Sequence, residues 1–153
     1  MACLEGGGEV NSATETVRAM YAAFARGDVP AVLELLDPDV AWVTPTTLPW
    51  SRGTYSGRDG VAEYFNSFAE ALEEAAVEPH ELLTCGNRVV ALGEERARVR
   101  ATGDRFRAPF AHVIRVHEGR VRELRGHVDT ATIRAAFFAG DPADVSPGIR
   151  QAL

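Results

Sequence analysis

The chain has 153 residues, a net charge of −6, 46% hydrophobic and 25% charged residues, the size and make-up of one globular domain and not of a disordered or fibrous chain. A net negative charge provides no positive field for nucleic acid or for an anionic membrane surface, so neither is expected as a partner. All sixteen basic residues are Arg, which excludes a Schiff-base lysine and the chemistries that depend on one.

Cys3 and Cys85 give neither a disulfide framework nor metal-ligand spacing. Four scattered histidines, His80, His112, His117 and His127, add no ligand spacing, so no metal and no cofactor is expected. Met1–Val10 lacks the basic and apolar regions of a signal peptide, and no apolar run approaches the roughly 20 residues that span a bilayer. The expected setting is a soluble protein of the reducing cytoplasm.

Residues 1–11 read as a disordered lead-in, 12–140 as a single domain and 141–153 as a tail. Ser12 followed by Glu15 has the capping-box pattern, and Val17, Met20, Tyr21 and Phe24 recur at helical spacing up to Gly27. Asp28 caps a second short helix that carries Val29, Val32, Leu33 and Leu36 inward. Asp39–Thr44 is β-branched and aromatic, and Pro45 stops it as a strand. After a loop with Pro49, Gly53 and Gly57, a third helix is predicted over about Gly60–Ala76, with Val61, Tyr64, Phe65, Phe68 and Leu72 as its apolar stripe.

Beyond it the period falls from 3.6 to 2. Glu81–Leu83, Arg88–Thr102, Phe106–His117 and Arg120–Val128 read as consecutive antiparallel strands, with turns at Gly86-Asn87, Gly103-Asp104 and Glu118-Gly119. Asp129 caps a closing helix, Thr130–Phe138. Helices first and a meander afterwards make an α+β layout, with the helices on one face of a curved antiparallel sheet.

The segments Tyr21-Ala-Ala-Phe-Ala-Arg-Gly-Asp28, Leu36-Asp-Pro-Asp-Val-Ala-Trp42, Gly53-Thr-Tyr-Ser-Gly-Arg58, His112-Val-Ile-Arg-Val-His-Glu-Gly-Arg120 and Val128-Asp-Thr130 occur in order. Together they resemble the nuclear-transport-factor-like superfamily over residues 14–138, and most nearly its SnoaL-like polyketide cyclases and ketosteroid isomerase relatives. The resemblance implies a cone: a curved sheet wrapped over three helices, with a short closing helix and one apolar pocket. The superfamily includes isomerases, dehydratases, epoxide hydrolases, cyclases and non-catalytic binders, so the fold does not select the activity. The cyclases' catalytic Asp, fourteen positions after the pocket His, falls on Gly126. The Arg-x-Asp pair of the epoxide hydrolases falls on Gly93 and Glu95, and the isomerases' Asp on Thr44.

The residues also speak for themselves. A two-residue turn at Gly103-Asp104 pairs Thr102 with Arg105, and so Glu95 with His112. Alternation puts Ala91, Gly93, Glu95, Ala97, Val99 and Ala101 on one face with Ala108, Phe110, His112, Ile114 and Val116. Two ionisable groups on that apolar face are expected to touch, either as a proton-transferring dyad or as an ion pair that fixes the hairpin register. On the last strand, a two-residue turn brings Arg125 and His127 inward, whereas a three-residue loop with a glycine bulge brings Leu124, Gly126 and Val128; the apolar content favours the second. Trp42, Thr44, Trp50, Tyr55, Tyr64 and Phe68 are candidates to line the pocket, with plain core packing as the alternative. Trp50 is expected at the mouth, because its loop is flanked by Pro45 and Pro49. The run Arg96, Arg98, Arg100 reads as a solvated or salt-bridged face, or a dimer contact.

Three functions follow: a cofactor-free isomerase, cyclase or dehydratase acting by proton transfer on an apolar carbonyl compound; a non-catalytic binder of an apolar small molecule; or an interaction domain. A homodimer is expected from the mixed apolar and charged outer strands, which carry Ala111, Val113, Arg115, Arg125 and His127.

Overall fold

The computed structural model describes residues 7–138; the tail expected at 141–153 and the first six residues of the lead-in lie outside them. Within them run helix α1 (Gly7–Ala25), helix α2 (Val29–Glu34), strands β1 (Leu36–Val43) and β2 (Thr54–Ser56), helix α3 (Gly57–Ala71), strands β3 (Leu72–Cys85), β4 (Arg88–Val99), β5 (Arg105–His117) and β6 (Arg120–Val128), and helix α4 (Thr130–Phe137). The strands form one curved open sheet in the order β2-β1-β6-β5-β4-β3. This is the expected α+β architecture with one change: β1 runs parallel to β6, and only the other neighbours are antiparallel.

The helix ends follow local chemistry. Gly27 stands at φ 70°, and the N–H groups of Gly27 and Asp28 donate back to the carbonyls of Phe24 and Ala23, which closes α1 in a Schellman arrangement. Asp28 Oδ1 accepts from the Ala31 N–H and starts α2, and Asp129 Oδ1 does the same for Thr132 and α4. The capping box at Ser12 does not form, because α1 begins at Gly7 and runs through it; Thr16 Oγ1 donates to the Ser12 carbonyl from within the helix. Helix α3 starts at Gly57, and Arg58 Nε and Nη2 both donate to the Leu36 carbonyl, tying the helix to the start of β1.

The largest correction follows α3. Leu72–Ala76, expected as helix, belongs to β3. Its Ala and Glu residues are good helix formers, but Leu72 pairs with Val99 and Glu73 with Arg98, and the ladder outweighs the propensity. Glu74 stands at φ 51° where the register shifts between Glu73 and Ala76. A second irregularity follows at Pro79, which has no N–H to give. The Arg run proves salt-bridged: Arg96 meets Glu78, and Arg98 and Arg100 meet Glu73. Cys85, the last residue of β3, is disulfide-bonded, against the expectation of no disulfide framework.

The β4–β5 ladder ends at Arg98↔Arg105, so the connection takes residues 99–104 and not Gly103-Asp104 alone. The reason is a set of anchors outside the hairpin. The Arg100 N–H donates to Ala71, its Nε to the carbonyls of Ala69 and Leu72, and Thr102 Oγ1 to the Ala136 carbonyl. On β6 the inward set favoured by the apolar pattern is present, though not through the expected three-residue loop: Leu124, Gly126 and Val128 pair with Ile114, His112 and Phe110. Glu118 and Gly119, at φ 51° and 73°, make the two-residue turn, and the register shift beyond Val116 leaves Arg122 as the extra residue.

Gly93 is where β3 crowds the sheet. A β-carbon there would overlap the Glu78 carbonyl oxygen and stand 2.8 Å from Phe110 Cζ, whereas one on Gly126 would meet nothing nearer than 3.5 Å. Gly93→Ala is therefore expected to destabilise the fold by ~2–4 kcal/mol in urea unfolding, and Gly126→Ala by less than ~1 kcal/mol. Equal losses would show that the crowding at Gly93 is relieved cheaply.

Candidate active site

Across β4, β5 and β6 the inner side chains fall into rows: Ala91, His112 and Gly126; then Gly93, Phe110 and Val128; then Glu95 and Ala108. The small residues of β4 leave depth that the helices fill with larger groups. Met20, Tyr21 and Phe24 come from α1, and Tyr64, Phe65 and Phe68 from α3. Between these layers lies a cavity of about 60 Å³, whose sheet walls are Trp42, Thr44, Val77, Glu95, His112 and Leu124.

Glu95 is only 6% exposed. Its Oε1 is sealed from solvent and has no hydrogen-bond partner among the described residues. Burial pushes its carboxyl from an ordinary 4.5 up to about 7, because the charged form loses its hydration without a compensating cation. The nearby Tyr64 phenol is raised by its own burial first and by the Glu95 charge second.

His112 also lines the cavity but does not meet Glu95. The longer connection moves the pairing by four residues on β4, an even number, so both side chains keep the inner face. They are no longer opposite: Glu95 pairs with Ala108 and His112 with Ala91, which separates them by ~13 Å along the strand. The expected contact is overturned, and with it the dyad and the ion pair. His112 Nδ1 lies 2.6 Å from the Tyr21 hydroxyl. Its ring stacks on Phe110 at 4.1 Å between centroids, and the Tyr21 ring, 6.0 Å away and within 7° of its plane, meets its edge. Burial, and secondarily the charge of His127, lowers its pKa from 6.5 to about 3.

Of the other expected pocket residues, Trp42, Thr44, Tyr64 and Phe68 border the cavity. Trp50, Tyr55, Phe110, Ile114 and Gly126 do not line it. Trp50 is not at a mouth. Its loop is closed by Thr44 N–H donating to the Gly53 carbonyl and by the Thr44–Ser51 hydroxyl pair. The indole packs edge-on to Phe68 and against Phe137 while Nε1 donates to the Tyr64 hydroxyl. Tyr55 packs on Tyr64 and accepts from the Arg52 N–H. Phe110 and Ile114 are core, one behind His112 and the other in the row beyond it. Gly126 sits directly across from His112 and leaves space over the ring. Sequence reasoning missed Met20, Tyr21, Phe24, Val32, Phe65, Val77 and Leu124 as wall residues. Tyr21 had a usable signal: a phenol on an otherwise apolar helix stripe needs a buried partner. Among the described residues no three His, Cys, Asp or Glu side chains cluster as a metal site, and no helix is long and apolar enough to cross a membrane.

The curved mixed sheet packed over helices is the NTF2-like fold of α+β proteins. Within it the chain belongs to the SnoaL-like domain family, which it matches over residues 17–124. An NTF2-like protein of unknown function from Burkholderia pseudomallei K96243 is 34% identical over 84% of this chain and 98% of its own, with a TM-score of 0.78. A proposed isomerase from Bacillus subtilis shares the fold at 22% identity over 84% and 94% of the chains, TM-score 0.71. A proposed SnoaL-like polyketide cyclase from Jannaschia sp. CCS1 does so at 16% over 90% and 99%, TM-score 0.77. Among curated proteins none matches the sequence.

The raised pKa of Glu95 has a definite sign for stability. The unfolded chain releases this proton near 4.5 and the folded one near 7, so the folded state binds more protons between them. Glu95 therefore withdraws stability as pH rises through that window, and its full cost of about 3 kcal/mol stands above it. Glu95→Gln is expected to stabilise the protein by ~1–3 kcal/mol at pH 8.5 and to leave it unchanged at pH 4, as read by urea unfolding at both. No difference between the two pH values would show that the carboxylate is solvated.

Proposed function

We propose that the protein is a cofactor-free enzyme that moves a proton on a small carbonyl compound, with Glu95 as the single general acid and base. The observation that carries this reading is the carboxyl itself: buried, without a hydrogen-bond partner among the described residues, and on the wall of an apolar cavity. A group that titrates near 7 is present in both forms at neutral pH, which suits it to take a proton from carbon and to return it. Nothing in the fold requires such a group, and its burial lowers stability, so a ligand is the natural counterpart. Isomerisation or cyclisation is the class of reaction to test first, given the family. The free space of about 60 Å³ accommodates a few waters, so a polyketide-sized substrate needs the aromatic walls to move.

A second reading, a non-catalytic binder, is favoured by Thr44 and Gly126, which stand where the resemblance places the catalytic acids of isomerases and cyclases. Deuterium exchange into small cyclic ketones, followed by NMR, separates the two. The enzyme should exchange α-hydrogens faster than buffer, and Glu95→Gln should slow this by roughly 10²–10⁴-fold. Exchange that is the same with and without the protein across a set of ketones leaves the binder.

The assembly expected from the sequence is proposed as well: two copies joined through the outer sheet face. Leu83 is 50% exposed there and lies in one row with Val90, Val113 and Arg125, beside Leu92, Ala111 and His127. An apolar centre with a mixed-charge rim suits a two-fold contact, in which each patch meets its own copy. Sedimentation equilibrium at micromolar concentration should give twice the 16.5 kDa chain mass, and Leu83→Glu should return the protein to monomer. A wild-type monomer removes this part of the proposal.

A further inference from the structure

We infer that His112 is a neutral hydrogen-bond donor, which holds the carbonyl oxygen of a small uncharged ligand through Nε2–H, in a tautomer imposed by Tyr21. The inference rests on the cavity being the ligand site, as proposed above, and not on turnover.

The tautomer follows from hydrogen-bond accounting. Tyr21 is buried, and its hydroxyl has one partner among the described residues, His112 Nδ1 at 2.6 Å. Burial keeps the phenol protonated. Its hydrogen therefore has one place to go, and leaving it unmade is the costly alternative. If the hydroxyl donates, Nδ1 is bare and the imidazole proton sits on Nε2. The low pKa of the ring, about 3, agrees with a neutral imidazole. Phe110 stacks on one face of the ring at 23°, and the Tyr21 ring, within 7° of its plane, meets its edge through the Nδ1 hydrogen bond, so its orientation is held as well as its protonation.

Nε2 has no hydrogen-bond partner among the described residues, and it is not one of the sealed polar atoms, which are Trp42 Nε1, Glu95 Oε1 and Arg115 Nε. The glycine opposite leaves it room: a β-carbon on Gly126 would stand 3.7 Å from Nε2 and 3.8 Å from the Thr44 methyl. The Thr44 hydroxyl is engaged with Ser51. One neutral donor therefore faces the space between His112 and Thr44. The cavity lining holds no Arg, so an anionic ligand would meet Glu95 with no compensating charge. A cationic ligand would satisfy Glu95 and leave Nε2–H unused. An uncharged oxygen acceptor satisfies the donor, and a neutral imidazole in this role stabilises the charge that develops on that oxygen when a neighbouring carbon loses a proton.

The test is ¹⁵N NMR of His112 in the wild-type protein at pH 7, with cyclopentanone and cyclopentylamine as probes. Nδ1 should resonate as an unprotonated nitrogen and Nε2 as a protonated one, and cyclopentanone should move Nε2 far more than Nδ1. Tyr21→Phe should let both tautomers populate, drawing the two nitrogen shifts together, and weaken the ketone by roughly three- to tenfold, the worth of one neutral hydrogen bond. A wild-type Nδ1 that carries the proton, or cyclopentylamine binding while cyclopentanone leaves His112 unmoved, overturns the inference. A ketone that moves Nε2 but exchanges no hydrogens supports it and sinks the catalytic reading instead.

Discussion

The ladder between β4 and β5 runs without interruption from Arg88↔Arg115 to Arg98↔Arg105, and the rest of the molecule takes its positions from it. Alternation along these strands sends the arginines and Glu94 to one side and Ala91, Gly93, Glu95, Ala97, Ala108 and Phe110 to the other. The inner face of β4 is made of small residues, so the depth of the cavity is set by the helices that supply the bulk. Beside it β3 approaches closely enough that Gly93 has no room for a side chain. The hairpin, the bulged strand and the two aromatic helix faces form one packing unit.

Charge is sorted by the same alternation. On the outer face, Arg96, Arg98 and Arg105 meet Glu78, Glu73 and Glu74 in exposed pairs. Each such pair contributes about 0–1 kcal/mol at most, yet together they mark one register between β3 and its neighbours, since a slip would bring like charges together. On the inner face Glu95 stands with no cation beside it. The difference in cost between these two settings separates a structural carboxylate from a candidate functional one. The fold tolerates Glu95 because the surrounding core is large, and proteins commonly hold such a destabilising group where activity needs it.

The two polar groups of the cavity act apart. Glu95 has a raised pKa and no hydrogen-bond partner among the described residues; His112 has a lowered pKa, a fixed partner and a stacked ring. Environments that push two titratable groups in opposite directions are how one site holds a base and an electrophile together. The ~13 Å of strand between their pairing positions explains why neither group satisfies the other.

Much of this was readable from local rules. The caps at Asp28 and Asp129, the Gly27 stop, the period-two strands and the inward placement of Glu95 and His112 depend on a few adjacent residues or on parity, and parity survives an even slip in register, whereas Gly126 faces inward only because the bulge at Arg122 offsets the two-residue turn. The pairing itself was not readable. Arg100 and Thr102 bond to Ala69, Leu72 and Ala136, partners remote in sequence, and these anchors lengthen the hairpin connection and part Glu95 from His112. Leu72–Ala76 reads as helix by propensity and becomes strand because β4 offers it a ladder. Trp50 looks like a loop aromatic and is a core residue because Phe68 and Phe137 converge on it. The sequence by itself determined which side of β4 and of β5 faces inward, because that is a property of the backbone pleat. Only the tertiary structure decided which inward residues meet, because that depends on contacts between segments far apart along the chain.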